Sequence, residues 1–114
     1  MSEKKIEGLM RGMVEAHVKG DVEKTLSFFA EDGVWVEPEG TFRGKEELKR
    51  FLTWSAQTTP DKKIRDAGIG IMVKGNKAVW ESVFEGVTPD GRRWEIPVVC
   101  VYEFSGEKIQ QHRL

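Results

Sequence analysis

The sequence has one cysteine, Cys100, no long apolar run and almost no net charge. A single cysteine excludes an internal disulfide and is typical of the reducing cytosol, so we expect a cytoplasmic protein. Eighteen Lys and Arg against 19 Asp and Glu leave a net charge of −1, too little basic excess to indicate nucleic acid as a partner. No stretch approaches the length of a membrane span, and Glu7, Arg11 and Glu15 interrupt the first apolar segment. We therefore expect no membrane partner.

The length of 114 residues favours one domain, spanning residues 1–114. A chain of this size buries roughly two-thirds of its unfolded surface, which suffices for a core without disulfides or a metal. Hydrophobic residues at 39% and charged residues at 32% are ordinary proportions for a globular protein.

The first half of the chain has helical periodicity. Apolar side chains recur at helical spacing over residues 4–19, and Gly20 predicts the end of that helix. Asp21 is a good N-cap for a second helix, which we expect to include Phe28 and Phe29 and to end near Asp32-Gly33.

Short β-rich and helical segments follow. Val34-Trp35-Val36 predicts a short strand, which Pro38 and a loop at Gly40 bring to an end. A third helix is predicted after Gly44.

Beyond Pro60 the period changes from helical to alternating. Turn-forming residues separate four predicted strands, at Ile64–Val73, Ala78–Val87, Arg93–Phe104 and Lys108–Leu114. The separators are too short for crossovers, so this sheet should be antiparallel, and Gly68 and Gly70 permit it to curve. The order predicts an α+β domain, in which three N-terminal helices pack on a curved, mostly antiparallel sheet around a cone-shaped hollow.

Local sequence resembles a known superfamily in three places. The segments are Gly20-Asp21 with Leu26–Trp35, Gly44–Leu48, and Asp90–Pro97 through Glu107-Lys108-Ile109. Together they are similar to a SnoaL-like domain of the nuclear transport factor two-like superfamily, which includes ketosteroid isomerases, polyketide cyclases and limonene epoxide hydrolases. The resemblance implies a cystatin-like α+β cone. It specifies the chemistry poorly, because this fold also hosts non-catalytic modules.

Glu37 is the sharpest catalytic candidate. It ends an apolar strand immediately before Pro38, and the resemblance places it where ketosteroid isomerases hold their general-base carboxylate. Proton abstraction beside a carbonyl needs a carboxylate in a dry pocket with its pKa raised towards neutrality. The alternative is a solvent-exposed glutamate at the end of a strand.

The electrophilic groups of related enzymes are absent. The resemblance places the isomerases' oxyanion-donating tyrosine at Met13 and their protonated aspartate at Cys100, a much poorer donor. Limonene epoxide hydrolases use an Arg-x-Asp pair, and the comparable stretch Val79–Glu85 has no arginine. We therefore expect neither activity.

Two histidines complete the catalytic candidates. The resemblance turns His17 and His112 towards the hollow, where a neutral imidazole could donate a hydrogen bond to a carbonyl oxygen. The alternative for His17 is a boundary residue at a helix end. Glu37, His17, Cys100 and His112 would suit zinc if they converged, but no close-spaced ligand motif supports this, so we expect no metal and no cofactor.

An apolar lining is the other expected feature of the hollow. The predicted lining residues are Met13, Phe29, Trp35, Leu52, Trp54, Val98, Cys100 and Leu114. Such a pocket would accept a small apolar molecule with one or two oxygens. Trp80 and Trp94 could instead cover the outer face of the sheet, where the resemblance implies a homodimer interface.

Three functions remain open on the sequence alone. The first is an isomerase, cyclase or lyase in which Glu37 transfers a proton on a small hydrophobic carbonyl compound. The second is a non-catalytic pocket for an apolar ligand. The third is a dimeric interaction module whose hollow is filled by its own side chains.

Overall fold

The structure is a computed structural model that describes residues 1–114. Its helices are α1 (Glu3–Val18), α2 (Val22–Ser27) and α3 (Gly44–Thr58). Its strands are β1 (Phe29–Glu37), β2 (Gly40–Arg43), β3 (Lys62–Lys74), β4 (Lys77–Val87), β5 (Arg93–Ser105) and β6 (Lys108–Arg113). The predicted α+β class is confirmed. No helix is both long enough and apolar enough to cross a membrane.

Side-chain caps fix the starts of the first two helices. Ser2 accepts a hydrogen bond from the backbone nitrogen of Lys5 at 3.1 Å, and Asp21 accepts one from that of Lys24 at 3.1 Å. The second helix is shorter than predicted, because β1 already begins at Phe29. The backbone nitrogen of Ile109 donates to the carbonyl of Phe28 at 2.8 Å, so sheet pairing overrides helical periodicity there.

The six strands form one sheet in the order β2-β1-β6-β5-β4-β3. The neighbouring pair β1 and β6 is parallel and the other four pairs are antiparallel, which confirms a mostly antiparallel sheet. The prediction of a loop at Gly40 is wrong, because residues 40–43 turn back and pair with β1.

Curvature in β3 comes from two glycines. Gly68 and Gly70 have φ of +52° and +66°, and the pairing with β4 shifts register between Asp66 and Ile71. Glycine has no Cβ to oppose these dihedrals, so the strand can bend there around the helices.

The helices cover the inner face of the sheet, and Trp80 and Trp94 lie on that face. Trp80 is buried, its Nε1 donates to Asp66 Oδ1 at 3.0 Å, and the Arg11 guanidinium lies 5.1 Å from its ring centre. Trp94 shares its strand face with the buried Cys100, six residues later. The prediction that Trp80 and Trp94 cover the outer face is therefore wrong. Part of the outer face is aliphatic instead, with Met72, Val79 and Val101 side by side on three neighbouring strands.

Candidate functional site

A cavity of about 480 Å³ opens between the C-terminal end of α1, the ends of β1 and β6, and the first halves of β3 and β5. Apolar residues form most of its wall, with a few polar groups among them. The lining residues are Val14, His17, Trp35, Glu37, Pro38, Glu39, Lys62, Phe84, Trp94, Ile96, Pro97, Val98, Val99, His112 and Leu114. Wide apolar cavities with few polar groups are the usual sites of small-molecule binding.

Glu37 is the last residue of β1 and lies half-buried in the cavity wall. Its Oε1 accepts a hydrogen bond from Trp35 Nε1 at 2.8 Å. Burial, followed by a hydrogen bond with Glu39, raises the pKa of Glu37 to about 7, although the Trp35 bond and the charge of Lys62 favour the ionised form. The carboxyl can therefore hold or release a proton near neutral pH.

His112 and His17 pack on the Trp35 ring. The ring centres lie 4.1 Å apart for Trp35 and His112 and 5.1 Å apart for Trp35 and His17. Burial lowers the pKa of each histidine to about 3, and the charge of Lys62 adds to the effect on His17. Both imidazoles are therefore neutral near pH 7, so each has one N–H donor and one acceptor nitrogen.

Lys62 was missed by the sequence reasoning. Its Nζ donates to Ser55 Oγ at 2.7 Å and to Thr59 Oγ1 at 3.3 Å, at the C-terminal end of α3. Burial lowers the pKa of Lys62 to about 8, with the charge of Glu37 acting in the opposite direction. Strand alternation could have identified Lys62 as inward-facing, because it shares a strand face with the inward-facing Ile64.

The structure brings six of the predicted residues into the cavity wall and places five elsewhere. The six are His17, Trp35, Glu37, Val98, His112 and Leu114. Met13, Phe29, Leu52 and Cys100 belong instead to the buried hydrophobic core and do not line the cavity. Trp54 is 54% exposed, because the buried face of α3 consists of Leu48, Phe51, Leu52 and Ser55.

The remaining wall comes mainly from the start of β5 and its neighbour β4, with Phe84, Trp94, Ile96 and Pro97. Cys100 lies deeper on β5, and burial raises the pKa of its thiol to about 12, which keeps it protonated rather than nucleophilic. No group of three or more His, Cys, Asp or Glu side chains is arranged to hold a metal ion.

The family of the chain follows from its sequence. A family model for the SnoaL-like domain matches residues 10–112. The chain belongs to the SnoaL-like domain family. A comparison with curated proteins finds no significant match.

Solved structures share the fold of this SnoaL-like domain at low sequence identity. A nuclear transport factor two-like protein of unknown function from Burkholderia pseudomallei superposes with a TM-score of 0.83 at 20% identity, over 99% of this chain and 89% of that one. A hypothetical protein with a ketosteroid isomerase-like fold from Catenulispora acidiphila, in complex with trimethylamine, superposes with a TM-score of 0.81 at 17% identity. The match covers 92% of this chain and 82% of that one. TerC, co-crystallised with polyporic acid, superposes with a TM-score of 0.80 at 20% identity. The match covers 96% of this chain and 88% of that one.

Proposed function

We propose that this SnoaL-like domain binds a small hydrophobic carbonyl compound in the cavity and that Glu37 is the general base for proton transfer at the carbon beside the carbonyl. The observation that carries the proposal is a carboxyl group in an apolar wall with a pKa of about 7. A base is most effective when its pKa lies near the working pH, because it is then both available and strong enough to take a proton.

The neutral histidines supply the other half of the chemistry. His112 and His17 both pack on the Trp35 ring in the same wall, and a neutral imidazole can donate to the carbonyl oxygen as negative charge develops there. Met13 and Cys100, where the resemblance places the donors of steroid isomerases, are buried in the core. The proposal is therefore an isomerase, cyclase or lyase activity other than steroid isomerisation.

Two structural neighbours support small-molecule binding by this fold. One was crystallised with trimethylamine and another with polyporic acid. These ligands differ in size and chemistry, so the fold accommodates organic molecules of more than one kind. The cavity volume of about 480 Å³ fits that use.

Proton exchange into a ketone tests the base role. We expect the wild-type protein to accelerate deuterium incorporation into the methyl group of acetophenone in D₂O, followed by NMR. Glu37→Gln keeps the side chain's size and removes the base, so exchange should fall by about a hundredfold or more while acetophenone still binds.

The matched control is Glu31→Gln, which removes an exposed carboxylate from the same strand. It should exchange like wild type. Equal exchange by wild type and Glu37→Gln, with acetophenone bound to both, would favour the second candidate, a non-catalytic pocket. The resemblance places the oxyanion donors of ketosteroid isomerases at Met13 and Cys100, and the absence of donors there favours that candidate.

The outer face of the sheet is proposed as a homodimer interface. Met72, Val79 and Val101 are register neighbours across three strands, and Met72 is 58% exposed. Contiguous apolar side chains on a sheet face are typical of interfaces between proteins.

A further inference from the structure

The ammonium group of Lys62 forms no direct ion pair. Its two hydrogen bonds go to the neutral hydroxyls of Ser55 and Thr59, and none of the ion pairs in the chain includes it. Lys62 is half-buried, and removing a charge from water is costly without a counter-charge. An ammonium has three N–H donors, so one remains for a group outside the chain.

The other titratable groups of the cavity leave Lys62 as its single cation. The lining includes no other lysine and no arginine, and both His17 and His112 are neutral. Two carboxyl groups face the same space. Glu37 donates a hydrogen bond to the exposed rim residue Glu39 and accepts one from Trp35, and no ion pair joins Lys62 to either carboxyl group.

We propose that Lys62 recognises an anionic oxygen of the ligand, so that the cavity takes an apolar molecule carrying a carboxylate, phenolate or enolate. The proposal deepens the proposed function and rests on it only in taking the cavity as the ligand site. The third N–H of the ammonium donates a charge-assisted hydrogen bond to that oxygen, and the apolar wall holds the body of the molecule. An enolate formed by proton transfer would receive the same hydrogen bond.

A purely structural role for Lys62 makes a different prediction. The last turn of α3 has no basic residue, and a cation near a helix C-terminus is favourable. If Lys62 served α3 alone, its replacement would lower stability without changing which ligands bind. Selectivity between a charged and a neutral probe therefore separates the two roles.

The experiment compares 4-nitrophenol with nitrobenzene, two probes with similar apolar bodies. Absorbance of the phenolate reports the ionisation of bound 4-nitrophenol directly. In wild type we expect the bound phenol to ionise at lower pH than the free phenol, because Lys62 stabilises the anion. An apolar cavity without an available cation would shift ionisation to higher pH, since burial disfavours the charged form. This wild-type result alone can overturn the proposal.

Variants then assign the effect to one side chain. Lys62→Met should weaken phenolate binding by about tenfold or more and leave nitrobenzene binding within about twofold. Lys62→Arg keeps the charge and should retain the preference for the phenolate. The matched control is Lys63→Met, which removes the neighbouring exposed lysine from the opposite strand face and should behave like wild type.

Each contrary result has a distinct meaning. Equal loss of both probes in Lys62→Met, or an unshifted preference, would overturn the role of Lys62 while leaving an apolar ligand cavity. Failure of both probes to bind wild type would contradict the ligand site itself and the proposed function with it. Deuterium exchange in Glu37→Gln is measured separately, so the base role of Glu37 is tested independently of the role of Lys62.

Discussion

Trp35 and Glu37 share the inner face of β1, and the indole Nε1 donates a 2.8 Å hydrogen bond to the Glu37 carboxyl oxygen. This hydrogen bond favours the ionised carboxylate, yet the pKa of Glu37 is raised to about 7. Burial and the hydrogen bond with Glu39 therefore outweigh the indole. The arrangement orients the carboxyl group and at the same time keeps its proton affinity high.

Replacing Glu39 should lower the pKa of Glu37. The exposed Glu39 carboxylate accepts a hydrogen bond from protonated Glu37 and adds negative charge beside it. Glu39→Gln removes the charge, so the pKa of Glu37 should move below about 7 towards its ordinary value. Carbon-detected NMR titration measures the change, with Glu31→Gln as the control. An unchanged or higher midpoint in Glu39→Gln would contradict the coupling.

Stability should fall as the pH drops from about 6 to about 5. His17 and His112 have a pKa of about 3 in the folded chain against 6.5 as the ordinary value, so the unfolded chain binds more protons in this window. Glu37 has the opposite effect on stability between its ordinary pKa of 4.5 and its folded pKa of about 7, because in this range the folded chain holds the proton and the unfolded chain releases it. Because two histidines act against one carboxyl group, the free energy of unfolding should fall by about 1 kcal/mol for each pH unit.

Urea unfolding at the two pH values measures this slope. Glu37→Gln removes the opposing contribution, so its slope should be about twice that of wild type. Greater stability at the lower pH would mean that the histidines are exposed in the folded protein.

Tyr102→Phe should not destabilise the protein. The Tyr102 side chain is fully buried, and its hydroxyl has no hydrogen-bond partner in the chain. Phe has the same shape without that unsatisfied polar group, so the free energy of unfolding should rise by about 1 kcal/mol. Thermal or urea unfolding measures this change. A decrease of similar size in the free energy of unfolding would show that the Tyr102 hydroxyl has a hydrogen-bond partner.

The protein should be a dimer at micromolar concentration, with a sedimentation mass of about twice 13.0 kDa. Met72→Glu places a charge on the outer sheet face and should shift the mass to that of the monomer. Trp54→Glu changes an equally exposed apolar residue on α3 and should leave the dimer intact. A wild-type monomer would remove the outer face as an interface.

Most of the fold could be predicted because hydrophobic periodicity changes sharply near Pro60 and short turns allow only antiparallel neighbours. The two errors in the secondary structure concern elements that local patterns specify weakly. Strand β2 has only four residues and includes Gly40, and the start of β1 at Phe29 depends on pairing with β6, which is distant in sequence.

The candidate site could be predicted only in part. Alternation places Trp35 and Glu37 on one face, as the structure has them. Alternation also places Trp94 on the same face of β5 as Cys100, so it could have predicted that this tryptophan lies on the inner face of the sheet. The division between cavity wall and closed core depends on how closely α1 and α3 approach the sheet, which no local pattern records. Lys62 was missed because a lysine at the start of a strand is usually a solvated residue.

The most direct test of the central claim is a titration of the Glu37 carboxyl carbon by NMR in the free protein. This carboxyl lies in the apolar wall of the cavity, desolvated and hydrogen-bonded to Trp35, so its midpoint should be about 7. A midpoint at or below about 4.3, the value of a free glutamate, would show a solvated surface carboxylate and contradict the assignment of Glu37 as the base.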